Sequence, residues 1–212
     1  MPEIAAACVP STALERILGA AERLFAERGF DSVSISDVAR EAAVCKANVF
    51  HHFAGKQALY DQVLTDSCAR LGDEMGRMLA TDTDAADQIP QFLHWYRSYL
   101  REHPATAKLL LRELTGNPDL AEAGPVFPVV VRLLDNLAAH VRGGRDIGAY
   151  RASINPTVVA SLLLGVTLFN SQTEHLRAHM SAWRDIGNGT YVELLTDVLL
   201  HGILRAPGGE SR

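Results

Sequence analysis

The chain has 212 residues, 48% hydrophobic and 21% charged, with 20 basic against 25 acidic side chains and a formal net charge of −5. That balance is ordinary for a globular protein and excludes a chain coated in nucleic acid, leaving room only for a local contact patch. Cys8, Cys45 and Cys68 follow no C-x-x-C spacing, which speaks against a zinc module or a disulfide framework and for a reducing, cytoplasmic compartment.

At the N-terminus Glu3 stands where a signal peptide would carry positive charge. The most apolar run, Val158 to Phe169, contains Ser161, Gly165 and Thr167 and falls short of the ~20 apolar residues of a membrane span. No membrane association is expected. Alternating valine or isoleucine runs are nearly absent and helical periodicity dominates, so the fold is expected to be all-α.

A first helix is capped by Ser11 or Thr12, with Glu15 placed to complete a capping box on Thr12. Leu14, Ile17, Leu18, Ala21, Leu24 and Phe25 give it one apolar face, and Gly29 stops it. Ser34 caps a second helix, whose Asp37 can bond back less well than a glutamate. A turn falls at Ala42-Ala43-Val44, and a third helix opens at Cys45 or Lys46 and runs to about His52. After Gly55 a long fourth helix extends from Lys56 to about Leu79, with Leu59, Tyr60, Val63, Leu64 and Leu71 turned inward.

Thr81 to Asp87 is polar and acidic and reads as a hinge. Five helices are expected beyond it: about Asp87 to Arg101, with Pro90 in its first turn; Pro104 to Leu114; Pro125 or Pro128 to Val141, ended by Gly143-Gly144; Pro156 to about Trp183; and Tyr191 to Leu204.

Residues 34 to 60 stand apart. Between Glu41 and Asp61 there is no carboxylate, while Lys46, His51, His52 and Lys56 fall inside. A phosphate backbone requires such a local clearing of negative charge. A helix-turn-helix places its second helix in the major groove, which here puts Lys46, Ala47, Asn48, Phe50, His51 and His52 at the DNA. Asn48 is suited to adenine and Ala47 to a thymine methyl. Ser34, Ser36 and Lys56 are expected at phosphates, and Val49 and Phe53 in the small core. Spacing and charge alone serve equally well for two helices of an ordinary bundle.

Over most of residues 11 to 65 the sequence resembles the DNA-binding domain of the TetR family of bacterial repressors. The likeness is carried by Ala-Ala-x-x-Leu-Phe-Ala-x-x-Gly-Phe, then Ile-Ser-Asp-Val-Ala, then Val-Cys-Lys-Ala-Asn-Val-Phe-His-His-Phe-Ala-Gly-Lys. The resemblance implies an N-terminal three-helix DNA-binding domain (11–65, helix-turn-helix about 35–54). A long fourth helix joins it to a C-terminal helical ligand-binding and dimerisation domain (66–205). It further implies a homodimer on a palindromic double-stranded operator, released by a small-molecule effector, with no cofactor. Three positions depart from the family pattern. Ala43 stands where glycine is common, Cys45 where serine or threonine often precedes the lysine, and Phe50 where tyrosine is frequent. If Ala43 is left-handed, alanine costs on the order of 1 kcal/mol there.

Downstream, Val158, Leu162, Val166, Phe169, Val192, Leu195 and Leu199 are expected at the dimer interface. Trp95, Tyr99, Leu110, Arg112, Glu113, Phe127, Val131, Phe169 and Asn170 are the candidates for the ligand pocket, although the adjacent Arg112 and Glu113 cannot both face inward. His175 and His179, at i and i+4, are a conceivable metal pair without a matching third ligand, so no metal is expected. Cys45 invites a redox-switch reading beside that of an inert thiol. The chain carries no G-x-S-x-G, H-E-x-x-H or P-loop. An enzyme without a recognisable motif and a helical adaptor remain the alternatives to a regulator.

Overall fold

Caps and breakers decide where each helix begins and ends. The computed structural model describes residues 12–81, 84–116, 126–177, 179, 193–194 and 197–198. Helix α1 spans Ala13–Arg28, opened by a complete capping box between Thr12 and Glu15 and closed by Gly29 at φ 82°. Helices α2 (Ile35–Glu41) and α3 (Lys46–His52) follow, then α4 (Lys56–Leu79). Beyond these come α5 (Ala85–Glu102), α6 (Pro104–Thr115), α7 (Val126–Asp146) and α8 (Pro156–Arg177). No strand forms among the described residues.

Backbone proximity divides the chain into two compact units, Met1–Asp66 and Ser67–Arg212. The division falls inside α4 and not at the polar stretch expected to act as a hinge. The first unit is built on Ile17, Ala20, Ala21, Leu24 and Phe25 of α1, with Val38, Val49, Leu59, Val63 and Leu64 closing over them, all buried. Tyr60 meets Phe25 edge-on at 4.9 Å between centroids and Phe30 at 5.0 Å, a geometry that adds roughly 0.5–1.5 kcal/mol per aromatic pair. Leu14, expected inward, is exposed: it lies in the first turn of α1, at the margin of this core.

In the second unit α8 packs against α5, α6 and α7. Its start is over-determined, because Pro156 holds the first helical position and the Asn155 side chain accepts from the N–H groups of Thr157 and Val158 at 3.0 and 3.2 Å. Core side chains include Leu71 and Met75 of α4, Phe92, Leu93, Tyr96 and Leu100 of α5, Leu137 of α7 and Leu163 of α8. The carbonyl of Leu79 bonds to Nε2 of His140 at 2.8 Å, tying the end of α4 to α7.

The start of α5 differs from expectation, and two expected elements reach beyond the described residues. Helix α5 starts at Ala85, so Pro90 lies in its second turn, where it removes one bond of the helical ladder. Helix α8 is described to Arg177, and Trp183 lies outside the described residues. The expected ninth helix also lies largely outside them; Glu193, Leu194, Asp197 and Val198 are helical.

Helix α7 does not end at Gly143-Gly144 but continues to Asp146. Gly144 is there for another reason. A Cβ at this position would lie 2.2 Å from Cε2 and 2.6 Å from Cδ2 of Tyr150, whose buried ring rests on the bare backbone. Gly144→Ala is therefore expected to lower stability by about 1–2 kcal/mol, overpacking outweighing the gain in helix propensity. Gly143, with nothing within 4 Å of its Cβ direction, is the control. Its alanine variant should be neutral or stabilising, and denaturant midpoints of the two variants measure the difference.

Candidate nucleic-acid interface

The direction of α3 is set by the turn before it. Ala43 has φ 53°, the sole left-handed non-glycine among the described residues. Its N–H donates to Arg40 O at 3.2 Å, and the Val44 N–H donates to Ala39 O at 3.0 Å. This pair of bonds is the Schellman closure of a helix C-terminus, which places a left-handed residue immediately after the cap. Arg16 of α1 donates from Nε to Ala42 O at 3.3 Å, fastening the turn to the first helix.

The chain leaves this turn through Cys45, an extended N-cap residue whose side chain makes no capping bond. Asn48 N–H bonds instead to Cys45 O at 3.0 Å. Seven residues of α3 then divide cleanly. Val49 and, just past the helix, Phe53 are buried, whereas Lys46, Ala47, Phe50, His51 and His52 are exposed and Asn48 is half-buried. Lys46 Nζ stands 5.7 Å from the Phe50 ring centroid, and the His51 and His52 rings meet edge-on at 5.1 Å. A large exposed aromatic beside a cation, on a stretch of chain without carboxylates, suits base edges and phosphates and gains nothing from solvent.

Ser34 and Lys56 are differently employed from the way their positions suggested. The Ser34 hydroxyl donates to Asp37 Oδ2 at 2.6 Å and accepts from Asp37 N–H at 3.1 Å, while Ser34 N–H donates to the same carboxylate at 3.1 Å. Hydrogen bonds from the Ser34 hydroxyl and then its N–H, with Arg40 adding to them, hold the Asp37 carboxyl down at about 2. The stabilisation this box contributes is thus complete above the ordinary carboxylate value of 3.8 and is lost as pH falls towards 2. Ser34 is a cap, and the exposed Ser36 is the hydroxyl left facing solvent.

Lys56 donates from Nζ to Phe30 O at 2.9 Å and to Asp31 O at 3.5 Å, and its ammonium lies 4.2 Å from the Phe30 ring centroid. Half-buried, it staples the loop after α1 to the start of α4. The free thiols also separate: Cys45 is exposed, while burial pushes Cys68 up to about 11, Glu113 adding to the effect.

Downstream, the pocket candidates scatter. Tyr99, Leu110 and Asn170 are buried, and Trp95, Arg112 and Glu113 half-buried. Phe127, Val131 and Phe169 are exposed, at outward positions of α7 and α8. A cavity of about 310 Å³ among the described residues takes only Asn170 from that set. Arg97, Leu100 and Arg101 of α5, Pro104 and Lys108 of α6, and Thr167, Ser171, Gln172 and Glu174 of α8 line the rest. Cations four residues apart at 97 and 101 were the available signal; a search for apolar walls passes over it.

Of the interface candidates, Val158, Leu162 and Phe169 are exposed and Val166 half-exposed, while Val159 and Leu163 turn into the core. Val192, Leu195 and Leu199 lie outside the described residues, as does the side chain of His175; His179 is exposed. Among the described residues no three His, Cys, Asp or Glu side chains gather as a metal site, and no helix is long and apolar enough to cross a membrane.

Residues 17–63 match the model of bacterial regulatory proteins, tetR family. The chain is 30% identical over 171 residues to the uncharacterized HTH-type transcriptional regulator Rv1255c of Mycobacterium tuberculosis, covering 69% of this chain and 84% of that one. It is 34% identical over 133 residues to the HTH-type transcriptional repressor Rv3405c of the same organism, covering 63% and 62%. Among solved structures, the transcriptional regulator FadR of Bacillus subtilis in complex with stearoyl-CoA superposes with a TM-score of 0.68 over 87% of this chain and 94% of that one. At 16% identity this is a likeness of fold.

The left-handed turn yields a direct expectation. Ala43→Gly removes the Cβ penalty of roughly 1–2 kcal/mol and adds unfolded-state entropy worth about 0.4–1 kcal/mol. The variant should be more stable by about 0.5–1 kcal/mol, read as a raised midpoint in thermal unfolding. An unchanged or lowered midpoint would show that the turn carries no such strain.

Proposed function

Because the chain belongs to the tetR family of bacterial regulatory proteins, we propose that α3 is its DNA-reading helix and that it represses transcription until a small effector binds. That the chain is a DNA-binding transcriptional regulator, not an enzyme, follows from the family itself. The observation carrying the assignment to particular residues is the exposed face of Lys46, Ala47, Phe50 and His51, on a stretch without carboxylates and aimed by the Ala43 turn. Asn48 and His52 flank that face, and Ser36 supplies a hydroxyl for a phosphate. Lys56 acts chiefly by holding the reading head together, with Ser34 as the cap of α2.

The partner is a double-stranded, palindromic operator, bound by a homodimer whose heads engage half-sites about 34–36 Å apart or a multiple of that distance. Supporting the homodimer is the exposed apolar stripe of Val158, Leu162 and Phe169 along α8, a surface that a monomer leaves in water. Support for a small effector comes from the FadR neighbour, described in complex with stearoyl-CoA. We place the effector in the second unit and the protein in the cytoplasm.

Gel retardation on the DNA flanking its own gene, at several salt concentrations, tests the reading. Lys46→Ala is expected to leave the melting temperature unchanged, weaken binding about tenfold and shallow the salt dependence by roughly one phosphate. Lys56→Ala should differ, lowering stability by about 1–3 kcal/mol through the lost charge-assisted bonds as well as weakening binding. Equal affinity of Lys46→Ala and the parent would remove Lys46 from the interface. For the dimer, Leu162→Glu with Phe169→Glu is expected to sediment as a folded monomer with weakened operator binding; a persistent dimer would mean that it forms elsewhere.

A further inference from the structure

The cleft of about 310 Å³ in the second unit has a composition at odds with the chain around it. Its lining holds three cationic side chains, Arg97, Arg101 and Lys108, against one carboxylate, Glu174, in a protein of net charge −5. The fold brings them together. Arg97 and Arg101 are one turn apart on α5, and α6 begins at Pro104 directly after the His103 cap, so Lys108 is carried back beside them. Among the described residues none of the three forms an ion pair within 4.0 Å. Three cations against one carboxylate leave the cleft with an excess of positive charge, which an anion bound there relieves.

The floor supplies a second, independent observation. Thr167 is 5% exposed, lines the cleft, and its hydroxyl has no hydrogen-bond partner among the described residues. A buried hydroxyl without a partner is costly, and it marks where a bound group completes the site. Leu100 adds an apolar surface beside it, and the buried Asn170 a second polar side chain. Thr167, Asn170, Ser171 and Glu174 follow helical spacing on one side of α8. At 100° per residue they lie opposite the exposed stripe of Val158, Leu162 and Phe169.

We propose that this cleft binds the anionic head, a carboxylate or a phosphate, of a small effector, gripped by Arg97, Arg101 and Lys108 with Thr167 as a neutral donor from the floor. Guanidinium groups form paired bonds to either head, which is the chemistry the two arginines bring. The volume is near the lower end of the roughly 300–1,000 Å³ typical of ligand sites, so it takes the head and a short apolar part. This assignment rests on the reading of the second unit as the effector domain and names the class of ligand. Binding on one face of α8 then acts on the helix whose opposite face is the dimer stripe.

Calorimetric titration of the full chain with octanoate, octanamide and inorganic phosphate tests the site, with gel retardation run on the same preparation. Octanoate is expected to bind at least tenfold more tightly than octanamide. Arg101→Ala with Lys108→Ala, both exposed at the rim, should cut that affinity at least tenfold while leaving the circular dichroism spectrum unchanged. Thr167→Val should weaken octanoate several-fold without lowering the melting temperature of the ligand-free protein. Binding of phosphate but not octanoate, lost in the double variant, supports the cleft and identifies a phosphate as the head. Octanamide binding as well as octanoate, undiminished anion binding by the double variant, or binding of neither anion would overturn it. Specific DNA retardation with no anion binding sinks the cleft alone; anion binding with no retardation on any genomic fragment sinks the regulator reading alone.

Discussion

A left-handed residue in the middle of the reading head constrains everything on either side of it. Helix α2 has to end within two turns and α3 has to leave at a steep angle, which a right-handed continuation does not allow. The bonds from Ala43 N–H to Arg40 O and from Val44 N–H to Ala39 O satisfy the last carbonyls of α2 only because Ala43 sits at φ 53°. Arg16 then anchors the adjacent carbonyl of Ala42. From that geometry follow the burial of Val49 and the outward presentation of Lys46, Ala47 and Phe50. A glycine accepts this conformation without penalty, and this chain holds it with an alanine.

Charge in the head is distributed with similar economy. Lys56 faces two backbone carbonyls and an aromatic ring, and Asp37 is consumed by the cap of α2. What remains open to a polyanion is the exposed face of α3, where Lys46 has the Phe50 ring beside it. The acid-free stretch thus serves two purposes. One cation organises the fold, and another is left to a partner. Residues that look equivalent along the chain differ in what their side chains can reach.

In the second unit α8 is the element on which α5, α6 and α7 converge. Its two sides carry different chemistry, an apolar stripe outward and a polar floor towards the cationic cleft. Helix interiors transmit displacement because they are close-packed and resist local deformation. A ligand in the cleft and a second copy on the stripe would therefore act on one rigid body. This offers a physical route from effector to dimer geometry without a chain of intermediates.

Much of this fold is written locally. Thr12 with Glu15, Ser34 with Asp37, Gly29 and Pro156 each act on neighbours three or four residues away, so their spacing is enough to place α1, α2 and α8. The irregularity at Ala43 and the uncapped Cys45 were visible in the same way, as departures at positions with a known local job. Glycines at 143 and 144 misled, because a helix stop and a close approach leave the same mark in a sequence. Only the packed chain shows Tyr150 lying on Gly144. Tertiary structure likewise decided that Lys56 answers to carbonyls 25 and 26 residues earlier, that Phe169 faces out, and that Arg97, Arg101 and Lys108 line one cleft with Thr167. Sequence by itself determined most of the helices, the turn and the carboxylate-free stretch, since these depend on hydrogen bonds and periodicities a few residues long. The partners of each charge and the cleft depend on distances across space, which come into being only when the helices pack.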